Sequence, residues 1–154
     1  MPTQHLFRET DLEVLENKPP LGKFKILVVG TFNGNIEGNT ANWFYGRPEN
    51  DFWYLFPQML GIQSLHPSHR KESMNDLILI WKKFCIENKM YIVDLFKDVS
   101  VILKTHSDKN LHNLSPNEYT LFNFKKSFSN CTFDFIMFTW KGQVKNTLTS
   151  IKKE

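Results

Sequence analysis

The stretch KILVVGTFNGNIEGNTANWFYGRPENDFWYLFPQML, residues 25–60, holds the features that decide the fold of this chain. Its apolar run 26–29 is typical of a buried strand. Gly30 and Gly34 bound the loop that follows, and glycine permits tight turns and a close approach of backbone to a ligand. Because ligands of open α/β sheets bind outside the carboxyl ends of the strands, this loop is expected to face a binding site. Its amides, backbone N–H groups and nearby aromatic residues suit a flat, polar ring such as a nucleobase.

The remainder of the chain predicts an alternation of strands and helices. Besides the first strand over residues 25–32, the runs 90–96 and 133–139 predict a second and a third strand. Helices are predicted over 9–16 and 50–60, after Ser73 with Asp76 three residues on, from the Ser115–Glu118 start, and over 141–153. Strands joined by helical crossovers imply a parallel sheet with helices on both faces. We therefore expect an α/β fold, a three-layer α/β/α sandwich, formed by one domain over residues 1–154.

Composition narrows the class of protein only slightly. A chain of 154 residues that is 41% hydrophobic and 23% charged is typical of a globular domain and argues against disorder. The net charge of +3 permits a polyanionic partner without demanding one.

Cysteine usage and hydropathy predict a soluble cytoplasmic protein with no membrane partner, associated with the nucleoid if the source is bacterial. Cys85 and Cys131 stand far apart, which indicates free thiols in a reducing compartment. Two cysteines are also too few for an iron–sulfur cluster held by four cysteine thiolates. The N-terminus is polar, so no signal peptide is expected, and no apolar run approaches the ~18 residues of a membrane span.

Several linked features of residues 30–53 resemble the first motif of the uracil-DNA glycosylase superfamily. They are the loop 30–34, Tyr45 two residues before Arg47-Pro48, and Asn50 ahead of the pair 52–53 (Phe-Trp). The mismatch-specific uracil glycosylases and the hypoxanthine-DNA glycosylases are the branches most similar in this order and spacing. The match covers about a quarter of the chain closely.

The resemblance implies a fold of the uracil-DNA glycosylase type and hydrolytic removal of a deaminated base, uracil or hypoxanthine, from DNA in repair, without a metal or organic cofactor. The partner would be DNA that carries a damaged or mismatched base. Many members place the attacking water with a polar residue at the third position of the loop, which here is Phe32. The hypoxanthine branch uses the Asn before the Phe-Trp helix, so Asn50 is the first candidate for catalysis and Asn33 the second. The implied base-binding residues are Gly30, Thr31, Phe32, Gly34 and the stacking residue Tyr45, with Arg47 on a phosphate.

Each of these residues also has a plain structural interpretation. Asn50 has the residue type of a helix N-cap, and Asn33 that of a turn residue in a left-handed conformation. Tyr45 could be a core aromatic residue, and Arg47 could cover a surface. His66-Pro67-Ser68 spells the opening of the second glycosylase motif, but it lies between the first two strands and is interpreted as a solvated basic loop.

The C-terminal region departs from the superfamily. After the third strand the sequence has room for one helix, and the fourth strand and the second motif are missing, so we expect a C-terminally incomplete domain. The third strand would then expose an edge that could pair with another chain, as in an edge-strand dimer. Two rival functions stay open: a glycosylase-like module that binds nucleic acid or a nucleobase without cleaving it, and a flavodoxin-like binder of small molecules.

Overall fold

The computed structural model describes residues 3–6, 22–105, 110–111 and 113–139. The helices predicted over 9–16 and 141–153 lie outside these residues. The three predicted strands are confirmed as β1 (Gly22–Gly30), β2 (Met90–Asp94) and β5 (Cys131–Phe138). They form one parallel sheet in the order β2-β1-β5. The chain is thus a mixed α/β protein with a small parallel sheet.

The register of the sheet brings the carboxyl ends of the strands to one edge. Gly30, the last residue of β1, lies opposite Asp94, the last residue of β2. On the other side of β1, Val29 lies opposite Phe138 of β5. Both faces of the sheet are covered at the apolar run of β1, and Val28 and Val29, which belong to the clusters on opposite faces, are fully buried.

One face of the sheet is covered by two helices, α1 (Phe52–Met59) and α2 (Met74–Glu87). The cap predicted for α2 is confirmed, because the Ser73 hydroxyl accepts a hydrogen bond of 3.2 Å from the Asp76 N–H. Three stacked indoles fill the interior of this layer, with ring centroids 5.0 to 6.3 Å apart: Trp43, Trp53 and Trp81.

The opposite face packs against a second, antiparallel pair of strands, β3 (Phe96–Val99) and β4 (Tyr119–Leu121), and the short helix α3 (Phe124–Ser127). The helix predicted from Ser115 is wrong. The Glu118 carboxylate does accept from the Ser115 N–H at 2.7 Å, but only a 3₁₀ turn over Pro116–Glu118 forms. The next residues, Tyr-Thr-Leu, favour extended backbone, and β3 offers them a partner strand.

Strand β5 lies at the edge of the parallel sheet, and within the described ranges it pairs with β1 alone. Its residues Phe135 and Ile136 are 70% and 56% exposed. Pairing of this edge with another chain stays a prediction.

Both cysteines are free, as predicted: Cys85 is buried and Cys131 is half-buried. Of the helices that the structure describes, none combines the length and apolar character needed to cross a membrane.

Candidate functional site

The carboxyl ends of the parallel strands meet around a buried carboxylate. Asp94 ends β2 beside Gly30, and its side chain is 2% exposed. A buried carboxylate is costly unless hydrogen-bond donors compensate for the lost water. The arrangement of those donors therefore defines what this site can do.

All of the donors to Asp94 converge on one of its two oxygens. Oδ2 lies 2.7 Å from Nε2 of His5, 2.9 Å from the backbone nitrogen of Asn33 and 2.8 Å from Nδ2 of Asn33. Oδ1 is equally buried, yet no donor among the described residues reaches it. A carboxylate can accept about four hydrogen bonds. Asp94 therefore keeps a buried acceptor at the strand ends.

The acceptor Oδ1 faces the last residue of β1. A Cβ atom on Gly30 would lie 2.2 Å from Oδ1 and 2.7 Å from the Tyr45 hydroxyl oxygen. Any residue other than glycine at position 30 would place its Cβ atom here, against Oδ1 of Asp94 and the Tyr45 hydroxyl oxygen. The Tyr45 hydroxyl also lies 3.1 Å from Oγ1 of Thr139, just after β5. All three parallel strands thus contribute to one polar cluster.

A short N-terminal segment, residues 3–6, carries His5 into this cluster. Its backbone is tied on one side to the loop after β1, through bonds from Leu6 N to Asn33 O (2.7 Å) and from Asn35 N to Gln4 O (2.6 Å). On the other side, the Thr3 hydroxyl donates to the carbonyl of residue 101 at 2.8 Å. The position of His5 is therefore set by hydrogen bonds on both sides of the segment.

The Tyr45 ring is packed against another aromatic ring in the structure, and its role as a stacking platform for a base stays a prediction. One face of its ring is stacked on Phe52, with centroids 4.3 Å apart and planes 24° apart. Its backbone is left-handed, with φ of 58°, which is uncommon for a residue other than glycine. This conformation places the hydroxyl group at the strand ends beside Gly30.

The interpretation of Asn50 as the N-cap of α1 is wrong, because the N-cap is Asp51 and Asn50 lies in the turn just before it. The Asn50 side-chain oxygen accepts from the Phe52 N–H at 2.9 Å, and its own N–H donates to the Arg47 carbonyl at 3.0 Å. No described hydrogen bond joins Asn50 to the Asp94 cluster. Asn33, in contrast, is more than a turn residue: its side chain binds Asp94, and its φ is not positive.

The remaining loop residues serve mainly to pack and to pair the backbone. The Gly30 and Thr31 carbonyls accept from the N–H groups that follow β2, at 2.9 and 3.0 Å. Phe32 is buried in the core, and a Cβ on Gly34 would lie 2.7 Å from its ring. The sequence-predicted set therefore divides, with Gly30, Asn33 and Tyr45 at the cluster and Phe32 and Gly34 in the supporting core.

The interpretation of His66 as part of a solvated loop is wrong. His66 is buried, and its ring nitrogens lie 2.7 Å from the Ser68 hydroxyl and 3.0 Å from the Pro48 carbonyl. These contacts anchor the loop that carries Arg47. The Arg47 side chain is half-buried, and in the described part of the chain no carboxylate pairs with it.

Elsewhere, a cleft of about 560 Å³ is lined by residues of the segments 3–4, 35–37 and 102–104. None of the sequence-predicted site residues lines it. Within the described ranges, no group of three or more His, Cys, Asp or Glu side chains is arranged to hold a metal ion.

Comparisons with protein-family models, with curated proteins and with solved structures find no match for this chain.

Sequence reasoning missed Asp94 and His5. A signal for Asp94 existed, since a single acidic residue ends an otherwise apolar strand whose carboxyl end must face the site. Nothing comparable marked His5.

Proposed function

We propose that this chain is a domain of the uracil-DNA glycosylase type, with the α/β/α sandwich of that superfamily, and that it hydrolyses the N-glycosidic bond of a deaminated base in DNA. One observation carries the proposal: the buried Oδ1 of Asp94, with no donor among the described residues, faces the carboxyl ends of the strands beside Gly30 and the Tyr45 hydroxyl. An acceptor held in this way suits a ligand that brings its own N–H group.

Deaminated bases have such a group. Hypoxanthine and uracil carry a ring N–H beside a carbonyl, whereas their parents, adenine and cytosine, present a bare ring nitrogen at the same position. A carboxylate oxygen accepts from the N–H but is repelled by the lone pair of the parent base. The Tyr45 hydroxyl, which converges on the same point, would donate to the neighbouring carbonyl oxygen. Sites built on such donor–acceptor matching discriminate strongly, because a mismatch leaves buried polar groups unpaired.

The same site offers help for bond cleavage. Charge develops on the departing base as the glycosidic bond breaks, and donors directed at that base lower the barrier. In this proposal Asn33 holds Asp94 in place, and Asn50 positions the attacking water. A carbonyl oxygen has two lone pairs, so the contact of Asn50 with the Phe52 N–H leaves one for water. Arg47 supplies a cation for a phosphate of the DNA.

The test uses labelled oligonucleotides that contain uracil or hypoxanthine, single-stranded or mismatched, scored for abasic sites. We expect base release by the wild-type chain and its loss in Asp94→Ala and Asn50→Ala. Asp134→Ala is the matched control, because that carboxylate is exposed and pairs only with Lys23 among the described residues. No release from any oligonucleotide at enzyme excess contradicts the hydrolase assignment.

The second candidate is a glycosylase-like module that binds nucleic acid without cleaving it. The hydrogen bond from the Phe52 N–H to the Asn50 side chain favours it, since this bond engages the side-chain oxygen of Asn50 in the turn before α1 and not with a water. Retained oligonucleotide binding without cleavage, measured by fluorescence anisotropy, would support this module. Binding should weaken steeply with salt, and Arg47→Ala should reduce the slope of log affinity against log salt by about 1.

A further inference from the structure

We propose that His5 is a positioning residue of the base site: it holds Asp94 in the one rotation that turns Oδ1 towards the bound base. The orientation of the carboxylate rests on the geometry alone, and the consequence for the base rests on the proposed function. The segment 3–6, which carries His5, thereby contributes to recognition of the base.

The proton between the two side chains can be assigned to His5. The backbone N–H and the side-chain amide Nδ2 of Asn33 already donate to Oδ2 of Asp94, at 2.9 and 2.8 Å. If Oδ2 carried a proton, that proton would lie close to the hydrogens of these two donors and be repelled by them. Oδ2 therefore accepts from all three donors, the two of Asn33 and the one of His5. Nε2 of His5, 2.7 Å away, is therefore the donor.

His5 can hold this contact because its ring has little room to turn away. Its side chain is 6% exposed, and the ring lies against Phe32 and Phe44, with centroids 5.3 and 6.1 Å away. The backbone bridge from His5 to Gly34 fixes the chain beneath the ring. The contact is thus supported by packing and by backbone pairing together.

The rotation of the Asp94 carboxylate determines which of its two oxygens contacts the base. The terminal torsion of an aspartate is broad and roughly two-fold, so the donors decide which oxygen faces which partner. With three donors gathered on Oδ2, the other oxygen is buried at the strand ends without a donor among the described residues. Removing the His5 donor weakens the preference for this rotation and so weakens recognition of an N–H on the base.

The experiment compares binding of free hypoxanthine and of 1-methylhypoxanthine, which lacks that N–H, to the whole chain by titration calorimetry. In the wild type, hypoxanthine should bind more tightly. His5→Phe keeps a ring but removes the donor, and should weaken hypoxanthine binding about tenfold while changing 1-methylhypoxanthine little. His5→Gln, whose amide nitrogen reaches a similar position, should restore the preference. His69→Phe is the matched control, because His69 is exposed and its ring nitrogen bonds to Ser64.

The outcomes separate this inference from the proposed function. Base release by the wild type together with an unchanged preference in His5→Phe overturns the role of His5 and leaves the glycosylase intact. Equal weakening of both ligands overturns it as well, because a merely structural role predicts that result. A proton on Nε2 in long-range ¹⁵N–¹H spectra of the ligand-free chain supports the orientation even if no base is released, and an unprotonated Nε2 overturns it.

Discussion

Removing the Asp94 carboxylate should destabilise the fold as a whole. In Asp94→Ala three donors lose their acceptor at once: Nε2 of His5 and the backbone and side-chain N–H groups of Asn33. An unsatisfied buried donor costs about 1–3 kcal/mol. Asn33, which supplies two of the three donors, is only half-buried, so water can reach part of the vacated region and the lower end applies. We expect a loss of about 3 kcal/mol in the free energy of unfolding, at about 1 kcal/mol for each donor.

The assay is equilibrium unfolding in urea, followed by the fluorescence of the stacked tryptophans. For a slope of about 2 kcal/mol per molar urea, a loss of about 3 kcal/mol lowers the midpoint by about 1.5 M. Asp94→Asn should lose much less, because its amide oxygen can take the place of Oδ2 and keep all three donors satisfied. Asp134→Ala, at an exposed ion pair, should leave the midpoint nearly unchanged.

Two results would refute this reasoning. One is a midpoint for Asp94→Ala close to that of the wild type, which would mean that the three donors find water or new partners at no cost. The other is an equal loss in Asp94→Asn and Asp94→Ala, which would make the charge of the carboxylate, and not its role as acceptor, the source of stability.

Three further predictions follow from the buried groups. Trp81→Phe should lower the free energy of unfolding by about 2 kcal/mol in the same urea assay, because the fully buried indole N–H donates to a backbone carbonyl at 2.8 Å; a loss under about 0.5 kcal/mol would contradict this. Gly30→Ala should abolish base release and lower the unfolding midpoint, since its Cβ would lie 2.2 Å from a carboxylate oxygen; wild-type release would show that the site adapts. Burial raises the pKa of both thiols, far more for Cys85 than for half-buried Cys131. Less thiolate is then present at neutral pH, so Cys131 should react slowly with a disulfide reagent and Cys85 should react only on unfolding. Equal reaction rates of the two thiols in the folded chain would contradict this.

Much of the architecture was predictable because its causes are local. The three apolar runs form the three parallel strands, since burial on both faces requires continuous apolar sequence. The Ser73 cap was predictable because a hydroxyl and an N–H three residues apart meet in any helix start. Asn50 did not follow this rule: its side chain accepts from the Phe52 N–H, but the N-cap of α1 is Asp51.

The failures have one physical cause in common. Ser115 to Glu118 has the local signature of a helix start, but the residues after it pair with β3, a strand about twenty positions earlier in the chain. His66 sits in a polar, basic stretch, yet its ring is buried, and Nε2 contacts the Pro48 carbonyl 18 positions earlier in the chain. In both places a contact distant along the chain overrides the local preference.

By itself, the sequence determined the strands, the glycine-bounded loop and the helix cap, because hydrophobic periodicity and short-range hydrogen bonds are properties of neighbouring residues. Only the tertiary structure decided the site. It joined His5 to Asp94 across 89 positions and Asn33 to Asp94 across 61, and it left one carboxylate oxygen without a donor among the described residues. The partners of a buried charge depend on which distant segments pack together, and no local pattern of residues encodes that choice.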